Sequence, residues 1–159
     1  MNQIDNMEKT FKKSRIVYVS TFDINGEEHS RPMTNFNENP YDTLWFPSYT
    51  KTRKVEDITK NPKVLVLFPS DTEDTFFEIE GKGKLASQME VKGRWRWWYL
   101  YWHPEKESKY WFTEQGEHPE RTIINVEPIS AKIISGTKIE KMEEELPREY
   151  RNYLKIKRT

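Results

Sequence analysis

The chain has 159 residues, no cysteine and a net charge of zero, with 26 basic and 26 acidic residues. This length suits one domain with one core, and the missing cysteine excludes disulfides, thiolate nucleophiles and zinc–thiolate sites. The zero net charge argues against a nucleic-acid partner, and no apolar run approaches the roughly 20 residues that span a bilayer. Because the start also lacks an apolar signal core, we expect a cytoplasmic protein with no membrane partner.

Hydrophobic periodicity and turn residues predict a mainly β chain with short α helices. Apolar residues at helical spacing mark the helices, and runs of β-branched and aromatic residues mark the strands. In chain order the predicted elements are a helix up to Lys13, strands at Arg15–Phe22, His29–Phe36 and Thr43–Ser48, a short helix that stops before Pro62, strands at Lys63–Ser70 and Thr75–Ala86, a helix at Gln88–Trp102, and a strand at Thr122–Ser135.

Several residues refine this prediction. Asn25-Gly26 is typical of a hairpin turn, and Pro32 inside the return strand indicates an edge strand or a bulge. The nearly continuous apolar run Lys63–Ser70 predicts a strand that is buried on both faces. Gly81 and Gly83 allow the next strand to bend or bulge. Together these features predict a six-stranded antiparallel barrel with helical plugs.

We expect residues 1–136 to form this single domain. The remaining residues, 137–159, are charged and are interrupted by Pro147, which predicts a peripheral helix or tail.

The sequence carries few signals of catalytic chemistry. Its three histidines, His29, His103 and His118, lack metal-ligand spacing, so we predict no metal site. No nucleophile elbow and no glycine-rich phosphate loop is present. His103 and Tyr110 are the side chains that could act as acid or base, and a structural role is expected for both, so no catalytic residue is assigned.

The segment SYTKTRK, Ser48 to Lys54, is more informative, because it joins a predicted strand to the start of a predicted helix. Hydroxyls, cations and the N–H groups of a helix N-terminus together suit a phosphate. The alternative is an ordinary capped helix with a solvated basic turn. If Thr43–Ser48 pairs with the strand that contains Arg31, the guanidinium would reach the same anion; otherwise Arg31 is a surface residue on a sheet edge.

The order of these segments resembles the FMN-binding split β-barrels related to pyridoxamine 5′-phosphate oxidase, particularly the general-stress-protein branch. The resemblance runs from about Phe11 to Ser135. It rests on the pieces HSRPM, LWF, SYTKTRK, VEDITKNPKVLVLF and FEIEGKGKLA.

That resemblance implies a six-stranded split barrel of the FMN-binding type, a homodimer with FMN at its interface, and an oxidoreductase acting on a small-molecule substrate or electron donor. It implies that Arg31 contacts the flavin, that Phe46 to Ser48 line the ring and ribityl chain, and that Lys54 and its neighbours hold the phosphate. The implied cofactor-binding residues are Arg31, Pro32, Met33, Phe46, Pro47, Ser48, Thr52, Arg53 and Lys54.

The chain departs from the oxidases proper at three points. Phe36 stands where they carry a lysine, Phe76 stands where they carry a glutamine, and their C-terminal segment of arginine and histidine has no counterpart. Vitamin B6 oxidase activity is therefore not expected. The alternatives are a non-catalytic flavin-binding or stress module, and a split barrel that uses a deazaflavin coenzyme or haem.

Five of the six tryptophans fall between Gly93 and Phe112. On a helix, Trp95, Trp98, Tyr99 and Trp102 share one broad face. One interpretation is a packing helix that plugs the barrel or anchors a dimer. A second is that Trp102 and Trp111 border the flavin pocket, and a third is a base-stacking platform.

Overall fold

The computed structural model describes residues 3–102, 120–135 and 138–141, which form one curled antiparallel sheet with three helices. The predicted helices and strands all occur within about two residues of their expected bounds. They are α1 (Gln3–Lys13), β1 (Ile16–Phe22), β2 (Glu28–Thr34), β3 (Leu44–Tyr49), α2 (Arg53–Lys60), β4 (Lys63–Pro69), β5 (Thr75–Leu85), α3 (Gln88–Trp102), β6 (Arg121–Ser135) and β7 (Lys138–Lys141).

Six strands follow one another in the order β2-β1-β4-β5-β6-β3, and every neighbouring pair is antiparallel. The predicted mainly β fold with six antiparallel strands is therefore confirmed. The short strand β7 is an addition, because it pairs with β6 in a segment that we interpreted as a helix or tail. Residues 142–159 lie outside the described residues, and the domain boundary near residue 136 stays a prediction.

The concave face of the sheet carries the main core, because alternate residues of each strand point inward. Val17, Val66 and Ile79 are fully buried on this face. Helix α1 closes it by inserting Phe11, whose ring meets Phe68 edge to face with centroids 5.1 Å apart. Burial of one such side chain stabilises the fold by about 1.5–3 kcal/mol.

The two turn and edge signals are confirmed. Gly26 has a φ of 82°, the left-handed conformation that glycine adopts without strain. The Asp23 carboxylate closes this turn by accepting hydrogen bonds from the N–H groups of Asn25 and Glu27 at 2.8 and 2.9 Å. Strand β2, which contains Pro32, is an edge strand. The missing donor of Pro32 therefore removes no essential ladder bond.

The predicted irregularity of β5 is also present. The register with β6 shifts between Glu80 and Gly81. At Gly81 the backbone of β6 comes so close that a Cβ would lie 2.6 Å from the carbonyl oxygen of Glu127. Only glycine fits this close approach, which gives the bulge its sequence signal.

One predicted pairing is wrong. Strand β3 pairs with β6 and not with β2. The loop between β2 and β3 supplies the reason, because the Asn37 carboxamide takes the place of a strand beside Trp45. Its Nδ2 donates to the Trp45 carbonyl at 3.1 Å, and its Oδ1 accepts from the Trp45 N–H at 2.9 Å.

The burial predicted for β4 is also only half correct. Val64, Val66 and Phe68 are fully buried, whereas Leu65 and Leu67 on the convex face are partly exposed. Within this single chain nothing among the described residues covers that face completely. Among the described residues, no helix combines the length and apolar character needed to cross a bilayer.

Candidate functional site

A cluster of cations lies where the β1–β2 hairpin meets the start of α2. Arg31 lies on β2, and Arg53 and Lys54 form the first turn of α2. Arg53 Nη1 lies 3.2 Å from His29 Nε2 on β2, and the positive charge of Arg31 acts on Lys54 as that of Arg53 acts on Arg31. Two of the predicted site residues therefore come together with Arg31, although by a different route from the predicted pairing of β2 with β3.

Hydrogen bonds to the interior hold Arg31. Its Nη1 donates to the Val19 carbonyl at 3.2 Å and to the Thr21 hydroxyl at 2.9 Å. The Thr21 hydroxyl in turn contacts Asp57 Oδ2 at 2.7 Å, and the Asp57 side chain is almost completely buried, at 2% exposure. A chain of hydrogen bonds thus links β2, β1 and α2 directly beneath the cations.

The electrostatics of the cluster favour an anion. Burial lowers the pKa of Lys54, and the positive charge of Arg31 lowers it further. Burial also lowers the pKa of Arg31, an effect that Asp57 opposes and Arg53 reinforces. Since both groups are partly desolvated and repel each other, a bound anion would stabilise their charged forms.

The start of α2 adds to this positive potential. Thr52 is the N-cap residue in an extended conformation, and its side chain makes no capping bond. Its hydroxyl instead donates to the Tyr49 carbonyl at 2.9 Å. Helix N-termini attract anions through their N–H groups and dipole. The capped-helix alternative therefore fails for the side chain of Thr52, although Lys51 and Arg53 are exposed, as expected for a basic turn.

The other predicted cofactor-binding residues are distributed over several environments. Pro32 is exposed and lies on the opposite face of β2 from Arg31, while Met33 is partly buried against the core. On β3, Phe46 is fully buried in the core, Pro47 is partly exposed, and the Ser48 side chain is buried.

Of the predicted tryptophan positions, only Trp95 is described in full. Its side chain projects from α3 onto the convex face of β3 and β6, where its Nε1 donates to the Thr122 carbonyl at 3.0 Å. Trp45 and Ile123 join it in a second small core. Packing therefore explains Trp95. The side chains of Trp98, Tyr99 and Trp102, and the whole of Trp111, lie outside the described residues, so the flavin-border and base-stacking interpretations stay untested.

Sequence reasoning missed Thr21, Asp57 and the position of His29. The available signals were a hydroxyl, Thr21, at a buried position of an apolar strand, and a carboxylate, Asp57, at a buried position of an amphipathic helix. His29 was considered only as a metal ligand, and in the structure its ring lies within 4.8 Å of possible ligand atoms of Asp23 and Glu27. The Asp23 carboxylate already closes the hairpin turn, and hydrogen bonding from the Glu27 N–H is the largest effect lowering its pKa.

Comparison with known proteins identifies a family and a relative in sequence. A family model described as "Pyridoxamine 5′-phosphate oxidase like" matches residues 2–142. General stress protein 26 of Bacillus subtilis (strain 168) is 30% identical over 114 residues, which cover 70% of this chain and 74% of that protein. A crystal structure of General Stress Protein 26 from Bacillus anthracis str. Sterne has a TM-score of 0.60 at 22% identity and covers 89% of this chain and 99% of its own.

Other structures with the same fold carry cofactor names. A pyridoxamine 5′-phosphate oxidase-related, FMN-binding protein from Nostoc punctiforme PCC 73102 has a TM-score of 0.57 at 15% identity, covering 83% of this chain and 81% of its own. A FAD-binding protein from Mesorhizobium loti has a TM-score of 0.59 at 14% identity, with 84% and 94% covered. A protein named F420 reductase has a TM-score of 0.53 at 19% identity, with 78% and 94% covered. At these identities the likeness concerns the fold.

Proposed function

This chain belongs to the pyridoxamine 5′-phosphate oxidase-like family, and from that premise we propose that it is an FMN-binding oxidoreductase. The observation that carries the proposal is the cluster formed by Arg31 on β2 with Arg53 and Lys54 at the start of α2. An FMN phosphate supplies the negative charge that this cluster needs, and structural neighbours are named for FMN, FAD and F420.

The residues present fit a flavin mononucleotide. Lys54, Arg53 and the N–H groups at the start of α2 would hold the phosphate by charge-assisted hydrogen bonds. Arg31 would face the more polar parts of the cofactor, and its positive charge would favour the anionic reduced flavin. When bound, the flavin supplies hydride or electron transfer, while the chain binds it, orients it and excludes water.

The position of Phe36 argues against vitamin B6 as the substrate. Its ring stacks on Trp45 with centroids 5.6 Å apart and an angle of 20° between the planes. The position at which the oxidases carry a cation is thus occupied by an aromatic side chain that packs beside α3. We therefore propose a different small-molecule substrate or electron donor.

A titration with FMN and riboflavin tests the cofactor. We expect FMN to bind with quenched fluorescence and an altered visible spectrum. Riboflavin, which lacks the phosphate, should bind at least about tenfold more weakly, because charge-assisted bonds to the phosphate are lost. No binding of FMN, or equal affinity for the two flavins, would contradict the proposal.

If FMN does not bind and a deazaflavin coenzyme does, the second candidate, favoured by the F420 reductase neighbour, takes its place. Turnover with NAD(P)H then separates an enzyme from a non-catalytic binding module.

We also propose that the protein is a homodimer with the flavin at its interface. The convex face of the sheet supports a dimer, because Tyr18 and Leu67 are cross-strand neighbours there and remain partly exposed. Tyr18 and Ile16 have 45% and 49% of their surface exposed. A partner subunit would bury this apolar surface. The molar mass in solution at micromolar concentration should be twice that of the chain, and the mass of a monomer would overturn the dimer.

We expect this dimer to work in the cytoplasm. A chain without cysteine needs no oxidising compartment for its stability.

A further inference from the structure

We propose that Thr21 and Asp57 are positioning residues that fix the Arg31 guanidinium by one nitrogen and leave its other edge to a bound flavin. The inference rests on the proposed function, because it concerns the same site. It assigns roles to two buried side chains that contact no cofactor themselves but link Arg31 to α2.

The hydrogen-bond chain has only one possible direction. Arginine is a donor only, so the Thr21 hydroxyl must accept from Arg31 Nη1, at 2.9 Å. The single hydrogen of that hydroxyl then goes to Asp57 Oδ2, at 2.7 Å. Because Asp57 is the terminal acceptor, its carboxylate determines how the Thr21 lone pairs face Arg31.

The same arrangement divides the guanidinium into two halves. Nη1 is engaged by the Val19 carbonyl and the Thr21 hydroxyl. Within the part of the chain that the structure describes, Nε and Nη2 of Arg31 make no such bond. These two nitrogens form the edge with which arginine binds two oxygens side by side. The fixed half therefore aims the other half at a ligand.

Asp57 also connects this edge to the phosphate-binding end of the site. It lies on α2, one turn after Lys54, while Thr21 lies on β1 and Arg31 on β2. The Thr21–Asp57 bond thus fixes the helix start relative to Arg31. The negative charge of Asp57 also counteracts the loss of solvation of the Arg31 guanidinium. One buried contact accordingly sets both the spacing and the charge balance of the cations.

Matched variants at both positions test the inference. Thr21→Val removes the hydroxyl at nearly the same volume, whereas Thr21→Ser retains it. At the other end, Asp57→Ala removes the acceptor, whereas Asp57→Asn keeps a carbonyl oxygen. Two measurements apply to each variant, namely 15N NMR of the Arg31 side chain, assigned by its loss in Arg31→Ala, and the Kd for FMN.

Without flavin, the two Nη signals of Arg31 should be separate in the wild type, in Thr21→Ser and in Asp57→Asn, because the bonds to Nη1 hinder rotation. They should merge in Thr21→Val and Asp57→Ala. FMN should bind about tenfold more weakly to Thr21→Val, as expected for one lost bond to a charged group, and within about twofold of wild type to Thr21→Ser. In an Arg31→Ala background, Thr21→Val should have no further effect.

The outcomes separate the two levels of the argument. Merged Nη signals in the wild type, or an undiminished effect of Thr21→Val in the Arg31→Ala background, would overturn the positioning role even if FMN binds. If the signals behave as expected but wild-type protein binds no flavin, the cofactor proposal fails and with it the role toward a flavin. A general loss of folding in Thr21→Val would appear in its unfolding temperature, and the Asp57 pair then decides.

Discussion

Replacement of Lys54 by alanine is expected to weaken FMN binding by about 1–3 kcal/mol, or roughly fivefold to 150-fold in Kd. Lys54 lies in the first turn of α2 beside Arg31, and burial followed by the charge of Arg31 lowers its pKa. The ammonium group is therefore already partly desolvated and has little to lose when a phosphate replaces its remaining water. Titration of the purified variant with FMN, followed by fluorescence, measures the change.

Lys60→Ala provides the matched control. Lys60 lies in the last turn of the same helix, is exposed, and forms an i,i+4 ion pair with Glu56 at 3.4 Å. Removing it changes the net charge by the same amount but leaves the site intact, so the Kd should stay within about twofold, as is usual for an exposed pair. An unchanged Kd in Lys54→Ala would rule out this phosphate site. Equal losses in both variants would mean that FMN responds only to the overall charge.

The elements of this fold were predictable because their signals are local. The Asn25-Gly26 turn, the edge position of Pro32 and the bulge at Gly81 each follow from a steric property of one or two residues. Alternating burial in β5 gives the same kind of signal. Such features require no knowledge of which strands meet.

Pairing was less predictable because it depends on the whole chain. Strands β2 and β3 are neighbours in sequence, yet Asn37 occupies the edge of β3 with its side chain, and β6 takes the other edge. No local pattern distinguishes this use of an asparagine from an ordinary loop residue. Likewise, the composition of β4 does not indicate whether its convex face is covered by other parts of this chain or by a second subunit.

The candidate site was likewise predictable only where its signals are local. The basic residues of SYTKTRK were apparent as an anion-binding pattern. Arg31 was added first by an expected strand pairing that is wrong, and then by the family resemblance. Their support was not apparent, since Thr21 and Asp57 are 36 positions apart and meet only after α2 packs on the hairpin. The sequence therefore identified the charges that we propose to face a ligand, whereas the side chains that link these charges to the interior became apparent only in the three-dimensional structure.

The second large effect concerns stability. Trp95→Ala is expected to lower the free energy of unfolding by about 3–5 kcal/mol, as is typical when a large buried aromatic is truncated. Trp95 is only 3% exposed, and its ring packs edge to face against Tyr49 at 5.5 Å. The variant also loses the donor to the Thr122 carbonyl, a hydrogen bond that joins α3 to the sheet. Urea unfolding of the variant and of the wild-type protein gives the difference.

Two further substitutions separate packing from other roles of this tryptophan. Trp95→Phe keeps an apolar ring but removes the N–H, so it should cost about 1–2 kcal/mol. Met89→Ala, at a side chain that is 86% exposed near the start of α3, should change stability by less than about 0.5 kcal/mol. If Trp95 only packs, FMN affinity of the folded Trp95→Phe protein should equal that of the wild type. A large loss of affinity with little loss of stability would instead connect the aromatic helix to the flavin, because truncation of a packing residue acts on folding first.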